Sequence, residues 1–476
     1  MRKNRRTDEK LSLRLGTLQA TQGLTCALTK PLTSRLSQEE LYDYNPILAF
    51  DAQKSMLASG GGVAGNLDLV ATLDNLVTGG PDATQTTAAK QPIAHVPYGD
   101  GHLFSPGISG NYASTPSTTD YDDLASWTAE VEVNYPQWSG AADAQTLMCK
   151  SYSWWIRLQN DGKILVVSRN AANTQYNAES SVSTGITDGT WAKIRVTRDG
   201  YDFKFYKDTG SGWVQVGTTQ TAAHNTNRNN TQAVEVGAHA GGTQKLARGS
   251  FRSAKFWDSA TPDSSDPILD IDFSDAEHGA SSFACSTGQT ITINTSGHGD
   301  PATIVRRPFL RFDGASSSGD YMQGSLASSI DTVHGFIKYR SNQTSYNGTT
   351  AGVISIYPSG SQDYSTPAVR LLSGYNNNSA RSYYNGGWRL IQNDRYDPAN
   401  GTVVVEASFT DGSQFRKQNN VDVVTDSASL SLNSNTVRIG DLSTAGSAAA
   451  IDVEKIYLFD RVLSAAEANN IYNHIA

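Results

Sequence analysis

From about residue 125 onward the chain is written in short runs of alternating apolar and polar residues, punctuated by Asp-Gly and Asn-Asp-Gly, and that rhythm admits few folds. In ASWTAEVEVNY, Trp127, Ala129, Val131 and Val133 share one face while Thr128, Glu130, Glu132 and Asn134 share the other, the period of a half-buried strand. The runs SWWIRLQ and KILVVSR flank Asn160-Asp161-Gly162, a hairpin signal because glycine accepts the positive φ of a tight turn. TWAKIRVTR alternates again, and Asp199-Gly200 turns it into YDFKFYK; GWVQVG, AVEVGA and FRSAKFWD continue the series to about residue 258. Many short strands at spacings of about ten residues predict an all-β sandwich or barrel.

A second series begins near Arg306 with PFLRFDG, HGFIKYR, GVISIYP, AVRLLSG, GTVVVEASF, TVRIGD and VEKIYLFD. The last 13 residues read as a helix instead. Ser464 is its N-cap, Glu467 completes a capping box, and Ala468, Ile471, Tyr472 and Ile475 form one stripe. Between the two series, SGHGDPATIVRRP at 296–308 has the composition of a linker. The expected organisation is an N-terminal arm over residues 1–45, a first domain over 46–300 and a second over 301–476.

Charge and cysteine usage narrow the function classes. The formal net charge of −8 argues against nucleic acid, whose recognition needs clustered cations, with one local exception. Residues 1–14 carry six Lys/Arg, among them Arg2, Lys3, Arg5, Arg6 and Arg14, against two Asp/Glu, so this end reads as a basic attachment arm. Polar residues from Thr17 to Gln22 interrupt it, which predicts no secretory signal, and no apolar run is long enough to predict a membrane span. Cys26, Cys149 and Cys285 lie far apart without metal-ligand spacing, consistent with folding in a reducing cytoplasm.

Several phrases resemble the concanavalin A-like lectin/glucanase superfamily in its laminin-G-like jelly-roll branch. In a first copy these are ILAFDAQKSML, VTGGPDATQTTAAKQP, GNYASTP and the central hairpin DGTWAKIRVTRDGYDFKFYKD. In a second copy they are LRFDGASSSGDYMQGS and the closing IDVEKIYLFDRVLSAAEANNIY. The resemblance implies two tandem jelly-roll β-sandwiches. The stretch PILDIDFSDAEHGASSFACSTGQTITIN is similar to an extension that follows such jelly rolls in bacteriophage tail, fibre and surface proteins. It implies a virion protein on the exterior of a phage particle, made in the host cytoplasm, with other capsid or tail proteins and copies of itself as partners and host glycan as a further contact.

The candidate sites follow from these readings. Glu130 and Glu132 stand at i and i+2 on one strand face, a spacing that suits the carboxylate pair of a retaining glycosidase, about 5–5.5 Å apart. The next alternating position is Asn134, so the acidic triplet of the superfamily's glucanases is incomplete and a solvated face is expected; Asp270 and Asp272 repeat the spacing. The family's loop-held Ca²⁺ would fall to Asp313, Asp320 and Asp441, residues that turn chemistry explains equally well. For sugar or interface contact, the aromatic and amide-rich SGYNNNSARSYYNGGWR supplies Tyr375, Asn377, Tyr384 and Trp388 in a loop-rich region. The first copy supplies Trp155, which should point away from core-facing Trp154 and Ile156. The function expected is structural and adhesive, with a polysaccharide-degrading enzyme and a secreted lectin as the alternatives.

Overall fold

A computed structural model describes Leu41 and residues 44–295 save 59–60, 67, 79, 98 and 263–264. It also describes residues 301–476 save 314–319, 331, 343–350, 358–368, 375–378, 385–386, 396–401, 411–412, 419–420, 427–433 and 441–449. The described residues form four antiparallel sheets stacked as two sandwiches. In the first, one sheet runs Val214–Gln215, Asp202–Asp208, Trp191–Asp199, Ser126–Asn134, Arg248–Trp257, His102–Pro106, Thr303–Val305. The facing sheet runs Gln175–Glu179, Ile164–Arg169, Trp154–Leu158, Gln145–Lys150, Val234–Val236, Tyr112–Ser114, Thr290–Asn294, Ser282–Ala284. Alternation sends Trp127, Val131, Ile194 and Phe256 inward from one sheet to meet Trp154, Ile156 and Val166 from the other. Phe256 stacks on Trp127 at 5.6 Å and on Trp154 at 5.0 Å between ring centroids.

The second sandwich repeats this plan. Its first strand, Phe309–Asp313, lies beside its last, Ala450–Phe459, which lies beside Val333–Ser341 and then Val403–Thr410, Ser413–Gln418 and Val421–Asp426. Its facing sheet runs Met322–Ile330, Ser434–Ile439, Ala351–Tyr357, Val369–Gly374, Ser379–Tyr384, Gly387–Arg395. The all-β expectation of two sandwiches with a short C-terminal helix is therefore met.

The domain boundaries differ from the expected ones. In the first sandwich a tail segment completes the sheets: Leu269–Asp272 adds to Arg248–Trp257, and Thr303–Val305 adds to His102–Pro106. The second sandwich is completed in the same places by residues from before the first. Leu48–Asp51 adds to Ala450–Phe459, Ile93–His95 adds to Phe309–Asp313, and Ala83–Thr84 meets Met322–Ile330 through Gln323. The two completing segments even start alike, as PILDID and PILAFD, and each closing aspartate caps the next turn: Asp272 accepts the Ser274 N–H and Asp51 the Gln53 N–H, both at 2.9 Å. The span 46–97 thus belongs to the second sandwich, into which the first, residues 101–305, is inserted. The expected division into 46–300 and 301–476 grouped residues 46–97 with the first series, because alternation shows that a segment is a strand without showing whose edge it joins. The arm is also shorter than 45 residues. Leu41 is buried with Ala468, Ile471 and Ile475, and the Tyr44 carbonyl accepts from Arg461 at 3.2 Å; Arg2, Lys3, Arg5, Arg6 and Arg14 lie outside the described residues.

The helix Ala465–Ile475 has the expected capping box and buries Ala468, Ile471 and Ile475 against Phe336, Tyr457 and Phe459 on the outer face of the second sandwich. At the junction of the sandwiches, Phe104, Val305 and Phe309 form a small core. The His95 ring lies between Phe104 and Phe309, at 4.5 and 4.6 Å. Arg311 binds both Asp452 oxygens, at 2.8 and 2.9 Å, and also donates to the Pro301 carbonyl at 2.9 Å and to Thr303 Oγ1 at 3.2 Å. Removing one partner of so buried a pair strands the other charge. Arg311→Met is expected to lower unfolding free energy by about 3–5 kcal/mol in urea titration.

Three junction histidines give the fold an acid limit. Burial, with Arg311 next, holds His95 well below the ordinary imidazole value; burial pushes His102 down to about 3; burial, then Arg307, lowers His278 to about 3. Each is neutral when folded and titrates near 6.5 when unfolded, so the unfolded chain binds more protons below that pH and stability falls as pH falls. Urea midpoints should be flat above about pH 7 and drop from about pH 6.5 towards 4, each histidine contributing about 1.4 kcal/mol per pH unit once its unfolded form is protonated. A midpoint unchanged at pH 5 would contradict this.

Candidate functional site

The period of Ser126–Asn134 that buries Trp127 and Val131 turns Glu130 and Glu132 to the opposite face of the sheet, where the register sets cations beside them. Glu130 lies between Arg195 and Lys255 on the neighbouring strands, and Glu132 lies opposite Lys193. Arg195 donates to Glu130 Oε2 from Nε at 3.0 Å and from Nη2 at 2.9 Å, while its guanidinium stacks 4.0 Å above the Trp213 ring. Arg252 comes within 3.8 Å of Glu132, and Lys255 pairs with Asp270 at 3.0 Å. Glu130, Glu132, Arg195, Arg252, Lys255, Trp257 and Asp272 line a groove of about 380 Å³. The expected solvated face is instead a charge lattice in which Glu130 is only 7% exposed. Asp272 is held by its own turn, accepting from the Ser274 amide and hydroxyl. A carboxylate clamped by a guanidinium is a poor general acid or nucleophile, so this geometry suits rigidity of the sheet better than glycosidic cleavage.

Trp155 points away from Trp154 and Ile156, as expected, but it is not an open platform. It is 4% exposed in a cluster of its own with Cys149, Leu165 and Val167. The His239 ring covers it at 4.8 Å, and the guanidinium carbons of Arg157 and Arg169 lie 5.2 and 5.5 Å from its centroid. Alternation told which way the ring points; it carried no information about the 238–242 turn that folds over it. Beneath that turn Glu235 accepts the Gly241 N–H at 2.9 Å, and burial raises both this carboxyl and the Cys149 thiol beside it.

In the second copy Tyr375 and Asn377 lie outside the described residues. Tyr384 and Trp388 are on strands, not in a loop: Ser379–Tyr384 and Gly387–Arg395 pair antiparallel at the edge of their sheet. The register pairs Trp388 with Tyr383 and Tyr384 with Gly387. Of the calcium candidates, Asp313 ends the strand Phe309–Asp313, Asp320 is buried, and Asp441 lies outside the described residues. Among the described residues no three His, Cys, Asp or Glu side chains gather as a metal site. Sequence reading missed one pair. Ser168 Oγ lies 2.9 Å from His224 Nε2, and His224 Nδ1 lies 2.7 Å from the Thr226 carbonyl, but Ser168 is 1% exposed beside buried Arg198, so the pair closes one end of the first sandwich.

No protein-family model and no curated protein matches the chain. Among solved structures it is similar to mouse laminin α1 chain domains LG4-5, at 10% identity over 76% of this chain and 89% of that one, with a TM-score of 0.28. It is also similar to a putative carbohydrate binding protein from Bacteroides ovatus, at 12% identity over 48% and 68%, TM-score 0.32. A third is the exoplasmic/lumenal domain of VIP36 in a Ca²⁺/Man3GlcNAc-bound form, at 10% identity over 35% and 84%, TM-score 0.25. Scores this low assign nothing by themselves, and the sandwich architecture stands on the strand orders given above. Glu130→Gln is expected to cost about 1.5–3 kcal/mol in chemical denaturation, the worth of a hydrogen-bonded charge, whereas a solvated glutamate would cost nothing measurable.

Proposed function

We propose that this protein is a non-enzymatic structural protein on the exterior of a bacteriophage particle, held by its basic N-terminal arm to capsid or tail proteins and displaying two lectin-like sandwiches outward. The observation that carries the non-catalytic half is the clamp of Arg195 on Glu130, which engages the best-placed carboxylate of the glycosidase alternative. The interlocking of the sandwiches, with residues 46–97 completing the second one across the inserted first, suits a body that must hold its shape under load. The virion location rests on the resemblance of residues 267–294 to phage surface proteins. Copies of the chain pack through the aromatic hairpin carrying Tyr384 and Trp388 with neighbouring Tyr375, and host glycan is the adhesive contact.

Removing residues 1–36 leaves Leu41 and Tyr44 docked on the C-terminal helix. The truncated protein is expected to stay folded and to be absent from purified particles; its normal incorporation would contradict the attachment role. The Tyr375→Ala, Tyr384→Ala, Trp388→Ala variant is expected to weaken assembly, since an aromatic anchor at an interface carries about 2 kcal/mol or more. Normal assembly with lost adsorption to host cells would move these residues from the interface to a sugar site.

A further inference from the structure

On an acidic chain, arginines without acid partners stand out. The face of the first sandwich that carries Trp155 holds three: Arg157, Arg169 and Arg228. Arg157 donates to the His239 ring at 3.3 Å, and its buried Nε has no partner among the described residues. Arg169 donates to Asn173 at 2.9 Å and to Gln175 at 3.3 Å, and Arg228 donates to the same Asn173 oxygen at 2.7 Å. Among the described residues none of the three reaches a carboxylate. Asp143, which acts on Arg157 only at longer range, is paired with Lys245. Glu235 is buried under the 238–242 turn and bonded there. Burial lowers His239 to about 4, with Arg157 reinforcing the shift, so the ring is neutral near pH 7 and acts as an acceptor for Arg157.

Backbone strain concentrates around the same face. Of the described non-glycine residues with positive φ, Tyr152 at 64°, Asn173 at 63° and Ala240 at 58° all border it. The turn Ser151–Ser153 joins the paired residues Lys150 and Trp154. A three-residue hairpin of this kind ordinarily puts glycine in the left-handed position. Here a tyrosine takes that position, 52% exposed, with the Arg169 guanidinium 5.9 Å from its ring. A bulky residue held left-handed costs about 1–2 kcal/mol and marks a place where something other than stability is served. Beside it the edge strand Gln175–Glu179 presents exposed Gln175 and Asn177, joined by a 3.1 Å amide hydrogen bond.

We infer that this face binds an acidic saccharide, its carboxylate taken by Arg157 and Arg169, its hydroxyls by the amides of Asn173, Gln175 and Asn177, and its apolar ring face by Tyr152. Planar guanidinium forks match a carboxylate in two-point geometry, amides match vicinal hydroxyls, and an exposed aromatic ring covers the C–H face of a pyranose. Trp155 serves underneath, as the surface on which both guanidiniums are stacked. The inference deepens the adhesive part of the proposed function and does not depend on where the protein sits in a particle.

The test is calorimetric titration of the full chain with trigalacturonate and with sialyllactose as carboxylated probes, against galactotriose as the neutral control and oligo(glycerol phosphate) as the phosphate control. At least one carboxylated probe is expected to bind, at least tenfold more tightly than galactotriose, and to lose at least tenfold in the Arg157→Gln, Arg169→Gln variant. Tyr152→Gly is expected to raise the melting temperature while weakening the same binding, a pairing that a purely structural turn would not show and that stays readable if the arginine variant misfolds. Equal binding of galactotriose, binding of the phosphate oligomer alone, affinity unchanged in the variants, or no binding of either carboxylated probe at millimolar concentration would overturn the inference. Particle incorporation is read separately, so loss of either reading leaves the other standing.

Discussion

The Arg311 guanidinium, anchored by Asp452 on the next strand of the second sandwich, ties the two sandwiches together. Both groups are 1% exposed, and the guanidinium reaches across the junction to the Pro301 carbonyl and the Thr303 hydroxyl, on the strand that closes the first sandwich. Asn342 takes a further position on Asp452 at 2.8 Å. A buried pair of this kind adds little net stability over an apolar replacement, yet it holds the guanidinium where its remaining N–H groups meet the first sandwich. Around it the chain crosses between sandwiches twice, once after His95 and once before Phe309, and those two residues are themselves cross-strand partners. The junction is thus a continuation of the second sandwich's sheet, stiffened by His95, Phe104 and Phe309.

The two outer faces of the first sandwich use charge in opposite ways. On one, acids and bases alternate across the register and neutralise each other, with Glu130, Arg195, Lys255 and Asp270 as neighbours. A lattice of paired charges is rigid and has little left to offer a ligand. On the other, among the described residues, Arg157, Arg169 and Arg228 bond only to neutral groups, and strained turns surround them. Unpaired guanidiniums held on an aromatic base are preorganised for an anion, since their ordering cost has already been met by the fold.

Much of the fold was legible because period-two alternation and turn residues act locally. Trp127 through Val133 declare their inward face, Asn160-Asp161-Gly162 its hairpin, and Ser464 with Glu467 the start of the helix. What stayed hidden is set by partners distant in sequence. Leu48 and Phe50 look like core residues of whatever follows them, and only the pairing with Leu458 and Ile456 shows that they belong to the far end of the chain. Glu130 and Glu132 read as a solvated face because the cations that clamp them lie more than sixty residues away. Trp155 was placed on the correct side of its strand, but its cover comes from His239 and two arginines that no local pattern connects to it. The left-handed Tyr152 left one trace in the sequence: a three-residue turn, Ser-Tyr-Ser, with no glycine to fill it.

Residues 46–97, though they precede the first sandwich, are part of the second. Native-state hydrogen exchange along a denaturant series measures this most directly. Ladder amides of Leu48–Asp51 and Ile93–His95 are predicted to open with the same free energy and denaturant dependence as those of Phe309–Asp313 and Ala450–Phe459. Exchange of these amides together with Ser126–Asn134 and Arg248–Trp257, or at the rate of an unstructured segment, would contradict it.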